Sequence, residues 1–262
     1  MFVLGEGQSV PAPCPLALLA ALPLEVRPFL RQIQARPLDG TAFPAWEFEA
    51  GEGRGVVAIS GMGDKAAREA AAQVLSLWQP KVLVSLGFSG VLLPGLAPGH
   101  LVLGESFWQY DPDTGRVEEA AAPAPPRPLA ELIQILEAAG LPVVRGSCVA
   151  TAGIIHKGRQ GEPLLPLTHP ALDLETGALA RAAKAAGLPF LALRVITDAA
   201  GEEIPDFLRE GWEPGFGPGL PKVSGWLAKD PRRLVSMLHL WQRSRLGARR
   251  LAAALQVLVP LI

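Results

Sequence analysis

Short apolar runs alternate with Ala-rich amphipathic stretches through most of the chain. Residues 16–22 (LALLAAL) form a compact apolar run halted by Pro23, which predicts a buried first strand. Residues 46–50 and 55–60 (GVVAIS), separated by the Gly-rich GEGR, predict a hairpin. Asp64 is placed to start a helix that runs to Leu77 and stops before Pro80. Residues 81–86 (KVLVSL) predict another buried strand, running into a turn at Gly87-Phe88-Ser89-Gly90 where backbone amides can face a ligand. Residues 100–103 predict a short strand, 129–139 a helix ended at Gly140, and 142–151 a strand. Residues 176–186 predict a helix ended at Gly187, and 189–197 (PFLALRVIT) a last buried strand. Residues 111–128, rich in Pro, Ala and acids, read as a surface loop rather than a domain boundary, because the alternation resumes after them.

Beyond this region the pattern changes. Residues 211–221 (GWEPGFGPGLP) contain four Gly and three Pro, the composition of a linker. Two helical stretches follow, roughly 223–240 and 241–258, with Asp230-Pro231 suited to a helix start. The organisation expected is an αβα domain over residues 1–210, a Gly/Pro-rich linker over 211–222, and a helical extension over 223–262 packed on the same domain.

Charge sharpens the picture of the extension. The chain has 262 residues and a net charge of −1, yet from Lys222 onward eight basic residues face one acid, Asp230. A basic amphipathic tail suits contact with an anionic surface, or helices packed on the domain with a solvated basic face. The chain is 49% hydrophobic and 19% charged, with a mean hydropathy of +0.27. No stretch is long and apolar enough to span a membrane. The N-terminal segment lacks a basic region before its apolar run, which argues against a signal peptide. Cys14 and Cys148 make no C-x-x-C motif, so a reducing cytoplasm is the default, with peripheral membrane contact through the extension as the variant. His100, His156, His169 and His239 show no metal-ligand spacing, and no metal is expected. Basic residues without interleaved aromatics argue against nucleic-acid binding.

Candidate chemistry lies in two carboxylates. Asp198 ends the apolar run 189–197, where open α/β sheets bind ligands, and Glu175 opens the helix of residues 176–186. Such a pair suits gripping a sugar hydroxyl and protonating a leaving group. The plainer alternative is that Asp198 caps a turn and Glu175 rides a solvated first helical turn. Gly61-Met62-Gly63 lacks the third glycine of a dinucleotide fingerprint, and G-x-x-x-x-G-K-[ST] is absent.

Four segments in order, LAALPLEVR, VAISGMGDKAA, VSLGFSGVLLPGLAPGHLV, and DLET followed by LRVITD, resemble the nucleoside phosphorylase superfamily. That family includes purine nucleoside phosphorylases and methylthioadenosine/adenosylhomocysteine nucleosidases. The resemblance implies a three-layer αβα sandwich with a mixed central sheet, and cleavage of the N-glycosidic bond of a purine nucleoside without a cofactor. It implies that Asp198 donates to the departing base, that Glu175 holds the ribose hydroxyls with Leu174 packed on the sugar, and that Glu25 handles water in the hydrolases. Gly87, Phe88, Ser89, Gly90 and Arg27 would make the pocket for phosphate or water, and Thr151, Ala152, Gly153 and Ile154 would hold the base. A homo-oligomer is implied as well.

Two departures bear on the nucleophile. The arginines typical of the phosphorylases are missing, with Ala20-Ala21-Leu22 at the first turn and Ser85 at the second position. Losing an arginine fork weakens phosphate binding. The extension is similar to that of the hopanoid-associated phosphorylases, which implies phosphorolysis, with phosphate as co-substrate, of a lipid-linked adenosine. The alternative is a phosphate-independent nucleosidase, and a non-catalytic nucleoside-binding protein is a third reading.

Overall fold

The computed structural model describes residues 14–51, 53–120, 123–205 and 233–262. The linker expected at 211–222, and the extension up to residue 232, lie outside the described residues.

A mixed sheet of ten strands forms the middle layer. β1 (Leu16–Ala20), β4 (Gly53–Ile59) and β5 (Val82–Val91) run parallel, with β1 in the centre. β3 (Ala45–Ala50) pairs antiparallel with β4, as the hairpin reading expects, and β2 (Arg36–Leu38) adds the outer edge. On the other side β10 (Phe190–Asp198) runs parallel to β5 and antiparallel to β6 (Leu101–Asp111). β6 pairs with β8 (Val143–Thr151), and β8 with β9 (Ala171–Asp173), which returns to β5. This half of the sheet therefore closes on itself as a five-stranded ring.

Side-chain alternation along β1 decides what covers each face. Leu16, Leu18 and Ala20 pack with α1 (Pro23–Gln32), α3 (Leu129–Ala138) and α6 (Arg233–Leu258). Ala17 and Leu19 pack with α2 (Asp64–Trp78) and α5 (Thr176–Ala186). The α2 and α5 faces are rich in alanine, which lets these helices lie close to the strands. Three layers result, as expected from the sequence.

Several elements differ from the sequence reading. Gly87–Gly90 is not a turn: β5 continues through it to Val91, paired in register with β10. The main-chain bonds to β10 outweigh the turn propensity of the two glycines, which serve close side-chain approach instead. β6 is longer than its apolar start suggested, and part of the expected loop forms β7 (Arg116–Glu119), paired with β6. α1 starts at Pro23, where the ring's fixed φ suits the first helical position. The two helices expected at 223–240 and 241–258 are one across their junction: α6 runs unbroken through Leu240 and Trp241. Neither residue is a helix breaker, and Leu251, Ala252, Ala254, Leu255 and Leu258 are buried against the sheet side of α1 and α3.

Candidate active site

A cavity of about 260 Å³ opens at the ends of β5, β8 and β10, with α1 and α6 beside it. Each polar group on its wall has a traceable cause.

Glu25 is delivered by the first turn of α1. Its Oε2 accepts the Leu22 N–H (2.8 Å) in a cap of the helix start. Its Oε1 accepts the Phe88 N–H (2.8 Å) from β5. Burial pushes the carboxyl up to about 6, against the pull of those two N–H donors and of Arg194. Gly87 makes room for this arrangement: a Cβ there would stand 2.8 Å from Oε1 of Glu25 and 3.2 Å from Nη1 of Arg194.

Glu175 stands just before α5. Asp173 accepts the N–H groups of Glu175 (2.9 Å) and Thr176 (2.8 Å), so the aspartate caps the helix. The glutamate side chain is left to turn toward the cavity, where its Oε1 accepts the Gly63 N–H (2.7 Å) at the start of α2. The residue keeps some exposure to the cavity, but its carboxyl is enclosed by protein. Burial first, then the charge of Asp173, push it up to about 8. It is not a solvated first-turn acid.

Behind these two carboxylates lies Arg194, 1% exposed. Its Nε donates to Asp173 Oδ2 (2.9 Å), and its Nη2 donates to Ser85 Oγ (2.5 Å) and to Thr176 Oγ1. The position where the sequence lacks an arginine is thus reached by one from a neighbouring strand. Its guanidinium is held by Asp173, and it does not line the cavity.

Asp198 ends β10 with 6% exposure. Its Oδ1 accepts the Thr197 hydroxyl (3.0 Å). The turn that follows is capped by Glu202, whose carboxylate accepts the Ala199 N–H (2.9 Å), so Asp198 is not spent as a cap. Lys157, which opens the short helix α4 (Lys157–Gln160) and which the sequence reading passed over, brings its Nζ to 2.5 Å from Asp198 Oδ2. The ammonium also donates to the carbonyls of Ala199 (2.9 Å) and Asp198 (3.2 Å). Among the described residues no hydrogen-bond donor is aligned on Oδ2 itself.

Of the residues expected in the site, Glu25, Phe88, Ser89, Gly90, Thr151, Ile154, Leu174, Glu175 and Asp198 all line the cavity. Gly87 lies beneath the wall rather than in it, and Ala152 and Gly153 are off the lining. Arg27 is misplaced: it is exposed on the outside of α1. It lies two positions beyond Glu25, about 200° around the helix, so both cannot face inward. The lining adds Met62, Lys157, Ile204, Leu240 and Ser244, the last two from α6. A lone arginine inside the apolar run of β10, and a lysine in the short segment that follows β8, were the available signals for Arg194 and Lys157. Nothing local marked Leu240 or Ser244. Among the described residues no group of three or more His, Cys, Asp or Glu is arranged to hold a metal.

The family model described as "Phosphorylase superfamily" matches residues 15–212. A 5'-methylthioadenosine/S-adenosylhomocysteine nucleosidase of Geobacillus thermodenitrificans is 26% identical over 206 residues, covering 71% of this chain and 85% of its own. The solved nucleosidase of Neisseria meningitidis, in complex with methylthio-immucillin-A, superposes with a TM-score of 0.65 at 18% identity, covering 94% of this chain and 99% of its own. A futalosine hydrolase mutant of Helicobacter pylori superposes at 0.65 with 14% identity, covering 92% of this chain and 98% of its own. Coverage this complete leaves too few residues unmatched for the 26-residue α6 to be wholly an addition to the shared fold.

Proposed function

The chain belongs to the phosphorylase superfamily, and we propose that it hydrolyses the N-glycosidic bond of an adenosine-type purine nucleoside. The observation that carries hydrolysis over phosphorolysis is the charge of the wall. Glu25 and Glu175 face the space in front of β5, and among the described residues the one cation lining the cavity, Lys157, is paired with Asp198. A phosphate dianion there would meet two carboxyl groups and no arginine fork. Water needs only a base. This reverses the order of preference that the sequence suggested.

In this reading Glu25, held by two main-chain N–H donors, takes a proton from a water that attacks C1′. The C1′–N bond breaks, and its electron pair leaves with the base. Glu175 accepts hydrogen bonds from the ribose hydroxyls and, in its ionised form, stabilises positive charge on the ring. Asp198 provides the hydrogen bond or proton that lets the base leave as a neutral purine. Ile154 and Thr151 border the base, and Leu174 borders the sugar.

Incubating the chain with adenosine and its 5′-modified relatives, with and without phosphate, tests this. Free base and free sugar at a phosphate-independent rate are expected, with nearly all release lost in Asp198→Asn. Ribose 1-phosphate formed only with phosphate would restore the phosphorolytic reading, and binding without release would favour a nucleoside-binding protein.

One observation favours a bulky apolar 5′ substituent, including a lipid-linked one such as a hopanoid. Leu240 and Ile204 line the cavity, while α6 leaves Leu238 46% and Trp241 50% exposed. A surface of that kind suits a substrate drawn from a membrane. Sedimentation with anionic vesicles, compared between the full chain and a Leu238→Ser/Trp241→Ser variant, decides it; equal sedimentation would remove the membrane reading.

A further inference from the structure

Lys157, the buried partner of Asp198, has no role in the mechanism above. Both side chains are at least nine-tenths buried, at 6% and 9% exposure, and both line the cavity. Burying an ion pair costs desolvation that the attraction only partly repays, so such a pair is weak as a stabilising device. The lysine is nevertheless held with care. Its main-chain N–H and that of Gly158 donate to Glu203 (3.1 and 2.8 Å), which fixes the segment. Two of its ammonium hydrogens are directed at the carbonyls of Asp198 and Ala199. Oδ2 of Asp198 lies 2.5 Å from the ammonium nitrogen and has no aligned partner of its own.

A carboxylate beside an ammonium has no proton of its own to give, whereas the pair as a unit has one. We propose that Lys157 supplies, through Asp198, the proton that the departing base takes up. The inference rests on the nucleosidase reading. As the C1′–N bond breaks and its electron pair moves to the base, a proton passes from Nζ to Oδ2, and a proton passes from Oδ2 to the base nitrogen. Lys157 is left as a neutral amine, which solvent reprotonates before the next turnover. The proton that Glu25 takes from water returns to solvent, so the cycle balances. Lys157 thus acts through Asp198 and is a positioning and proton-supplying residue.

Other charged groups surround the pair. Glu202 and Glu203 follow β10, Arg243 of α6 is bonded to Glu202, His156 precedes the lysine, and Glu25 and Glu175 share the cavity. None of these takes part in the proton transfer of this scheme, in which Asp198 meets the base and Lys157 acts through it.

The test compares wild type, Lys157→Met and Lys157→Arg on two substrates, with a melting curve for each protein. One substrate is the best adenosine-type nucleoside. The other is the riboside of an acidic phenol such as 4-nitrophenol, whose anion leaves without a proton. Arginine keeps the charge but does not surrender a proton. Both variants should lose about 100-fold or more in kcat on the nucleoside, and less than about tenfold on the phenol riboside. Arginine within a few-fold of wild type on the nucleoside would overturn proton supply in favour of charge alone. Equal losses on both substrates would overturn it in favour of a structural role. If Lys157→Met does not fold, the arginine variant on the two substrates still decides. A wild type that releases base from no nucleoside would instead sink the nucleosidase reading itself.

Discussion

Asp198 reaches its position because Gly90 has no side chain: a Cβ at Gly90 would stand 2.3 Å from Oδ2 and 3.1 Å from Cε of Lys157. The two residues are register partners in the β5–β10 pairing. Gly90→Ala is therefore expected to displace the acid pair while β5 still pairs with its neighbours. The measurable result is a fall in kcat of about 100-fold, since displacing a catalytic group by an ångström costs on that order. Circular dichroism should change little, and near-normal turnover would show that Asp198 tolerates the shift.

Burial pushes Glu25 up to about 6, and a general base works only when ionised. The rate should therefore rise as pH increases through about 6 and level off above it. Glu25→Gln keeps the shape and removes the base, so turnover should drop by about 10²–10⁴-fold. A kcat/KM profile flat from pH 5 to 8 would argue that another group handles the water.

Glu175 makes a stability prediction. Its ordinary value of 4.5 rises to about 8 on folding, so the folded chain holds that proton more tightly than the unfolded chain does. Between those two values the folded state binds more protons, and stability falls as pH rises. The free protein should melt progressively lower from about pH 5 to pH 8. Glu175→Gln should flatten that slope, which differential scanning calorimetry at a series of pH values would detect.

Arg194 and Asp173 form an ion pair in which both side chains are 2% exposed. Arg194→Met would leave a buried carboxylate without its counter-ion, and breaking such a pair typically costs about 3–5 kcal/mol. Urea denaturation should show a loss of that size. A loss under about 1 kcal/mol would mean that Ser85 and Thr176 are not part of a coupled network.

The layers and most helices and strands were legible because their signals are local: the apolar run of β1, the alanine-rich stretches of α2 and α5, and Gly187 closing α5; α1 was not, because Pro23 reads equally as the stop of a strand. Asp198, Glu175 and Glu25 were legible through the family motifs around them. What escaped depended on pairing between distant segments. Gly87 and Gly90 look like turn residues until β10 is laid beside them. Arg194 replaces a missing arginine from another strand, and Arg27 follows an inward glutamate yet points outward, because helical phase outweighs closeness in sequence. Leu240 and Ser244 belong to a helix whose approach to the cavity no local pattern encodes.

The bond between Glu175 and the Gly63 N–H joins residues 112 positions apart, and that between Glu25 and the Phe88 N–H spans 63. Contacts so distant along the chain close late, after most of the loop entropy has been lost. No contiguous fragment that begins after residue 25 or ends before residue 175 can hold the carboxylates in this geometry. Base release is then a report on completed folding: during refolding it should appear with the slowest kinetic phase, after secondary structure has returned.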